Sequence, residues 1–403
     1  EAGLAVVPWG GGTGRGAGYP PERYDVALST ENLSAAVDFL RDDLTAVVGA
    51  GMTIDTLDRL TSPEGQSAGL DPPCPHMATV GGTIMAERSG PMRIRYGRAR
   101  DRVMRMRVAL ADGSTQTYGA LVVKNVTGYD MNRLLAGSWG SLAVATELAI
   151  RLYKKPERTG ARAVGFRTAQ AAFSAARRLM AAPLSPMWME VLDSGRLHSL
   201  PQIQRDLFLP GSWCLAAAYG DFEEGLEAQL KSAEELVFNA GGRDVRRLNG
   251  PESEDLGRAL ADTPGGDFGR EDALKFRASG RMDQLPLFAE AARNAAAAGK
   301  YRLARAAHAA SGVFHCWLAP EGSGSSPRAA WETFSAECRA GADRERGRSV
   351  YVRLDAGPLS IRSEVAVWGE DGLEPAAIEL MRRLKAEFDP KNTLSPGRFI
   401  ARI

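Results

Sequence analysis

Pro8-Trp9-Gly10-Gly11-Gly12-Thr13-Gly14-Arg15-Gly16-Ala17-Gly18 is the densest glycine run of the chain, and its reading decides the fold. Leu4–Val7 ahead of it reads as a strand that runs straight into the loop. Consecutive residues without Cβ let backbone N–H groups turn inward as a nest for an anion. A flexible surface loop is the plain alternative for such a run. Two phosphate loops can be tested against it. A Walker loop needs Lys-Ser/Thr after the last glycine, and none follows. Gly12-Thr13-Gly14-Arg15-Gly16-Ala17 fits G-x-G-x-x-G/A, but that fingerprint must open a helix, and Tyr19-Pro20-Pro21 stops one. The loop therefore reads as a phosphate holder with no dinucleotide-fold helix behind it.

Working outward, Ala78-Thr79-Val80-Gly81-Gly82-Thr83 follows the rigid Asp71-Pro72-Pro73-Cys74-Pro75 and opens a short helix. Backbone donors at a helix start suit a diphosphate, whereas a tight turn packed on a strand would need the same glycines. A third element is Lys124-Asn125-Val126-Thr127-Gly128-Tyr129-Asp130, then Gly137-Ser138-Trp139-Gly140-Ser141-Leu142. Its polar residues and glycines interrupt apolar strands; alone they could be structural, and with the other two elements they look like the far wall of a cofactor groove.

The whole chain constrains the class of protein. At 403 residues it has length for two or three domains. With 50 Lys+Arg against 49 Asp+Glu the net charge is +1, which argues against an electrostatic nucleic-acid binder. Apolar residues at 44% and charged residues at 25% exclude global disorder. Cys74, Cys214, Cys316 and Cys338 are scattered and form no C-x-x-C pair. A disulfide framework, or an iron–sulfur or zinc cluster held by this chain alone, is not expected, and a reducing compartment is. No apolar run of about 18 residues or signal peptide is visible.

Up to about residue 150, glycine punctuates short strands: Ala46–Val48, the hairpin Met104–Leu110 and Thr115–Tyr118 around Ala111-Asp112-Gly113, and Leu142–Ile150. Helices are expected at Ser34–Leu40, Thr53–Leu60 and Thr83–Ala86. After Lys154-Lys155-Pro156 strands alternate with longer helices. Ala163–Phe166, helix 169–181 and Trp188–Leu192 form one unit. Trp213–Tyr219, helix 223–240 and Asp244–Leu248 form the next. Helix 286–298 with Arg302–Ala306 and Val313–Leu318 forms a third. The arithmetic is that of an antiparallel α+β sheet with helices on one face. No internal repeat is visible. A last helix, 375–388, precedes the tail Asp389–Ile403.

In this order, Gly10–Gly14, Thr79–Gly82, Ser89-Gly90-Pro91, Lys124–Asp130 and Gly137–Glu147 resemble the vanillyl-alcohol-oxidase-type FAD-binding family. Val367-Trp368-Gly369, Phe388-Asp389-Pro390 and Ser395-Pro396-Gly397-Arg398-Phe399 extend the match over nearly the whole chain. Within that family the set is most similar to the FAD-binding subunits of bacterial glycolate oxidases.

The resemblance implies an α+β chain: a two-part FAD-binding domain plus a ferredoxin-like second domain. It assigns residues 1–155 to the FAD domain, 156–374 to a substrate or cap domain, and 375–403 to a helix and tail returning to the first. It implies that Gly10, Gly11, Gly12, Thr13 and Gly14 wrap the FAD diphosphate. Thr79, Gly81 and Gly82 would hold the diphosphate and ribityl chain by backbone contacts. Ser89, Gly90, Tyr96 and Gly97 would lie near the flavin ring, and Val144 would offer backbone groups. Covalent relatives place a His in the loop; Thr13 stands there, so dissociable FAD is expected. Ala143 stands where relatives commonly carry Gly, and Ser395 where they carry Asn. Residues that usually precede the loop are missing, which implies a truncated start.

The resemblance also implies oxidation of glycolate to glyoxylate. A second flavoprotein subunit and an iron–sulfur subunit would carry electrons on from a cytoplasmic chain that meets the membrane only through them. The alternative is a flavin relay or assembly subunit whose paralogous partner oxidises the substrate. For catalysis the candidates are His315 and Arg277, the latter either able to grip a carboxylate with two donors or simply a solvated strand residue. His308 and His315 loosely resemble a metal-binding His pair of related 2-hydroxyacid dehydrogenases. No Glu-His-Gly segment follows and the intervening core is degraded to Ala310-Ser311-Gly312-Val313, so two structural histidines are favoured and no metal is expected. His76, beside the second glycine site, could face the flavin or solvent.

Overall fold

Val6–Trp9 (β1) pairs in parallel with Val26–Ser29 (β2), Val6 opposite Val26, and delivers the glycine loop at its end. These strands come from a computed structural model that describes residues 3–122, 128–200, 213–342 and 349–403. The chain divides into two units. One holds the residues up to Lys155 together with Glu370–Ile403, and the other holds Pro156–Gly369.

In the first unit the remaining strands are β3 (Ala36–Leu40), β4 (Thr45–Gly49), β5 (Gln66–Ser67), β6 (Val103–Ala109), β7 (Thr115–Gly119), β8 (Val144–Arg151) and β9 (Tyr153–Lys154). Five of them form an antiparallel sheet in the order β3-β4-β8-β6-β7. β4 is interior to it and buried along its length. Helix α1 (Ile54–Thr61) buries Ile54, Leu57 and Thr61, the 3- and 4-residue spacing of one helical face. Helix α2 (Val80–Met85) adds Ile84 to the same core of Ala46, Val48, Met106, Leu148 and Ile150. Ser34–Leu40, expected as a helix, is extended from Ala36 as β3. Its alanines favour a helix locally, but pairing of Ala36 with Val48 and Leu40 with Thr45 across a tight turn outweighs that propensity.

A buried cross-link closes this unit. The Nζ of Lys385 donates to Ser141 O at 2.8 Å, Leu394 O at 2.8 Å and Asp389 Oδ2 at 2.7 Å. Asp389 also accepts from Thr393 N and Leu394 N. Lys385→Met keeps the aliphatic stem but leaves two carbonyls and a carboxylate without their donor. It is expected to cost about 1–3 kcal/mol of stability in urea unfolding, and a smaller loss would show that water replaces the ammonium.

Among the described residues, the second unit is built on one sheet of eight antiparallel strands: β10 (Arg158–Phe166), β11 (Pro186–Leu192), β12 (Trp213–Asp221), β13 (Arg243–Asn249), β14 (Leu274–Ser279), β15 (Tyr301–His308), β16 (Val313–Pro320) and β17 (Tyr351–Ala356). Their order is β13-β10-β12-β11-β15-β16-β14-β17. The first four strands, with helices at Ala169–Ala181 and Glu223–Phe238, make a β-α-β-β-α-β module. The last four repeat it with helices at Leu285–Gly299 and Pro327–Ala340. The ferredoxin-like expectation thus holds twice over, and the repeat invisible in sequence is present in topology. The modules join where β11 meets β15, with Glu190 opposite His308.

The helices of both modules cover one face. Phe276 packs on Trp331 and Phe334, Phe314 on Phe288, and Gly160 meets Leu226 and Leu230. The expected one-sided covering is incomplete, because helix Gly250–Ala261 brings Gly257 against Trp188 on the other face. Alternation along the strands turns Lys275, Arg277, His315 and Trp317 to that second face.

Candidate functional site

In the first unit, two separate stretches of sequence converge on the glycine loop. A Cβ on Gly10 would lie 2.4 Å from Thr79 Oγ1, and one on Gly11 would lie 1.7 Å from Met77 O. Gly14 meets the Trp139 ring and Gly140 meets Pro8, each with only 3.1–3.3 Å of room for a Cβ. Gly12 and Gly140 have φ of 70° and 71°, where L side chains are strained. Among the described residues none of the backbone N–H groups of Gly10, Gly11, Gly12, Thr13 and Gly14 donates within the chain. Successive unengaged donors in a loop stripped of side chains suit a diphosphate.

The second glycine pair works differently from the expectation. Gly81 N donates to Ala50 O at 2.8 Å, and Gly82 N to the capping Thr79 Oγ1 at 3.1 Å. Their role is close approach: a Cβ on Gly81 would fall 2.7 Å from that of Ala50. Asp71 orders the Ser89-Gly90 turn by accepting from Gly90 N at 2.8 Å and Met92 N at 2.6 Å, while Ser89 Oγ accepts from Ala99 N. Tyr96 is buried, its ring against Gly69 and 5.2 Å from that of Tyr153, and burial raises its pKa. Gly97 follows with φ 82°, and Val144 opens β8 opposite Ala109. His76 is exposed. Residues 124–127 of the third element lie outside the described residues, while Asp130 caps a short helix through Arg133 N.

In the second unit, the sheet face away from most helices carries a polar cluster. His308 Nδ1 lies 2.6 Å from Glu190 Oε1, and both side chains are buried. The rings of His308 and His315 meet edge-on at 5.0 Å, and His315 lies beside Trp317. Asp355 Oδ2 is 4.0 Å from His315 Nδ1, and Asp355 is itself held by Arg353. Arg277 sits directly across from His315, and Lys275 lies over the Trp317 ring. Glu190 Oε2, His315 Nδ1 and Trp317 Nε1 are buried without a hydrogen-bond partner among the described residues. Such orphaned groups are costly unless a polar ligand or water meets them.

Burial pushes the Glu190 carboxyl above its ordinary value, against the pull of His308 and Arg196. Burial, with Lys275 and His308, holds His315 well below 6.5, and Asp355 only partly offsets this. His315 is therefore a neutral imidazole at neutral pH. Below about pH 6.5 the unfolded chain takes up a proton that folded His315 refuses, so this group makes stability fall as pH drops. Glu190 acts with the opposite sign above pH 4.5, so the comparison of variants is the test. His315→Asn is expected to lose less stability than the parent between pH 7 and 5.5 in urea unfolding; equal losses would mean that His315 protonates freely.

The sequence-based candidates His315 and Arg277 thus lie together. Glu190, Asp355 and Trp317 complete the cluster and carry no motif of their own. Their signal is one charged residue inside an otherwise apolar strand, as in Pro186–Leu192. No group of three or more His, Cys, Asp or Glu that could hold a metal is present among the described residues. No helix among them is long and apolar enough to cross a membrane.

Comparison with known proteins also divides the chain in two. A D-lactate dehydrogenase of Archaeoglobus fulgidus is 29% identical over 417 residues, covering 100% of this chain and 87% of its own. The glycolate oxidase subunit GlcD of Bacillus subtilis is 26% identical over 419 residues, 99% of this chain and 84% of its own. Among solved structures, 4-ethylphenol oxidase from Gulosibacter chungangensis superposes with a TM-score of 0.71 at 15% identity, over 98% of this chain and 84% of that one. Residues 1–119 match the model for an FAD binding domain, and residues 155–348 and 364–399 that for the C-terminal domain of FAD linked oxidases. The unengaged donors of the glycine loop and the matched domains place the chain in one group: it belongs to the FAD-linked oxidases, and it is an FAD-dependent oxidoreductase.

Proposed function

We propose that the chain oxidises a small 2-hydroxy acid, glycolate first among them, as the FAD-carrying subunit of a dehydrogenase complex. The observation that carries this reading is the polar face of the second unit, where neutral, buried His315 lies across from Arg277. Lys275 and Arg277 supply charge for the substrate carboxylate. His315 takes the hydroxyl proton, and Glu190 fixes the orientation of neighbouring His308. FAD held by the Gly10–Gly14 loop would supply the acceptor for the hydride that leaves the substrate carbon. It is held without a covalent bond, because Thr13 offers no imidazole to the ring. Relatives that are a D-lactate dehydrogenase and a glycolate oxidase subunit support the substrate class. The four scattered cysteines offer no cluster motif, so electrons leave to an iron–sulfur partner, beside a second flavoprotein subunit. The chain would work in the cytoplasm and reach a membrane through those partners.

The test is an anaerobic visible spectrum of the FAD-loaded chain before and after glycolate, with D-lactate in parallel. Bleaching of the flavin bands by either is expected, and the faster acid names the substrate. An unchanged spectrum with both would move oxidation to a paralogous subunit and leave this chain as a relay.

A further inference from the structure

The last residues of the sequence run along the glycine loop. Val6 N donates to Thr393 O at 2.8 Å and Ser395 N to Val6 O at 2.9 Å, so the tail flanks β1 as a short parallel bridge. Glu22 N donates to Pro396 O at 2.8 Å, and Tyr19 N to Arg398 O at 3.2 Å. Arg398 Nη2 donates to Gly14 O at 3.1 Å, inside the diphosphate loop itself. Arg402 stacks on the Tyr19 ring at 4.4 Å, and Gly397 sits at φ 75° where a Cβ would strike Glu22. The whole run is anchored by the Lys385–Asp389 pair.

We propose that this tail is a brace for the FAD diphosphate loop and that Arg398 is a positioning residue for cofactor binding. A loop of glycines has the most backbone freedom to lose on ordering. Without the brace, the cofactor must order the loop as it binds, and affinity falls. Arg398 ties down the Gly14 carbonyl from outside the nest, so it shapes the loop without using its inward donors. It also brings a positive charge beside the site of a dianion. By linkage, bound FAD must tighten the tail in return.

The proposal rests on FAD binding by the parent chain and is tested with Arg398→Ala and Arg398→Lys in the full chain. FAD dissociation constants are read from flavin fluorescence on apo protein, alongside the apo thermal midpoint. Arg398→Ala is expected to weaken FAD binding about ten- to hundredfold, the loss of one charge-assisted hydrogen bond. Arg398→Lys keeps the charge and one donor and should recover part of the loss. In the parent, exchange of the Tyr19 and Glu22 amides should slow when FAD is added. A lowered midpoint with FAD affinity within about twofold of the parent would mark a merely structural arginine and overturn the proposal. Should Arg398→Ala fail to fold, parent-like affinity in Arg398→Lys together with unchanged amide exchange overturns it equally. A parent chain that takes up no FAD would refute the cofactor assignment itself.

Discussion

Replacing Gly11 with Ala is expected to yield a folded chain that purifies without flavin. The added Cβ would stand 1.7 Å from the carbonyl oxygen of Met77, a backbone atom that no side-chain rotation can remove. Either the loop or the Met77–Thr79 segment must shift, and both belong to the cradle. The loss in FAD affinity is expected to exceed about hundredfold, more than an ordinary overpacking cost, because the displaced atoms are backbone. Gly10→Ala should do less, since the atom met first is the Thr79 hydroxyl, the end of a side chain. Gly265→Ala, in the second unit, has nothing within 4 Å of its Cβ and serves as the control. The ratio of absorbance at 450 and 280 nm, followed by FAD titration, reads the result. Full flavin content in Gly11→Ala would remove the glycine loop from the cofactor site.

His315→Ala is the second large effect. Loss of the proton acceptor is expected to lower the rate of flavin reduction by a 2-hydroxy acid about 10²–10⁴-fold. FAD content should stay at the parent level, because none of the contacts that shape the glycine cradle involves His315. The buried neighbours make the acid limb informative. With His315 held well below 6.5, the parent should keep its rate down to low pH and lose it as the imidazole protonates. Glu190→Gln leaves His308 a hydrogen-bond acceptor but removes a buried carboxyl, so it should shift that limb more than it changes substrate affinity. Stopped-flow reduction across pH distinguishes these. A parent-like rate in His315→Ala would take the proton transfer away from this cluster.

Much of the first unit could be read from residue order. The glycine loop, the Thr79–Gly82 turn and the Gly137–Ser141 turn were each identifiable, because their glycines interrupt the apolar strands around them. The hairpin around Asp112-Gly113 was legible for the same reason. Ser34–Leu40 misled, since alanine propensity is a weak local term beside strand pairing. In the second unit the alternation of strand and helix was plain, yet the duplication was not. The modules share a layout of apolar periods, which different residues satisfy equally well.

Local chemistry alone therefore marked the glycine loop as a candidate phosphate holder and pointed to the α+β class. The fold decided what lies across from what. Glu190 and His308 are 118 residues apart, and only the β11–β15 register sets them in contact; a slip of one residue would turn either side chain to the helix-covered face. Arg398 and Gly14 are 384 residues apart, and their bond depends on the tail lying beside β1. Sequence carries the preference of each residue for its own backbone shape. Register, burial and the pKa of His315 arise from pairings between distant strands, and those exist only once the sheets have formed.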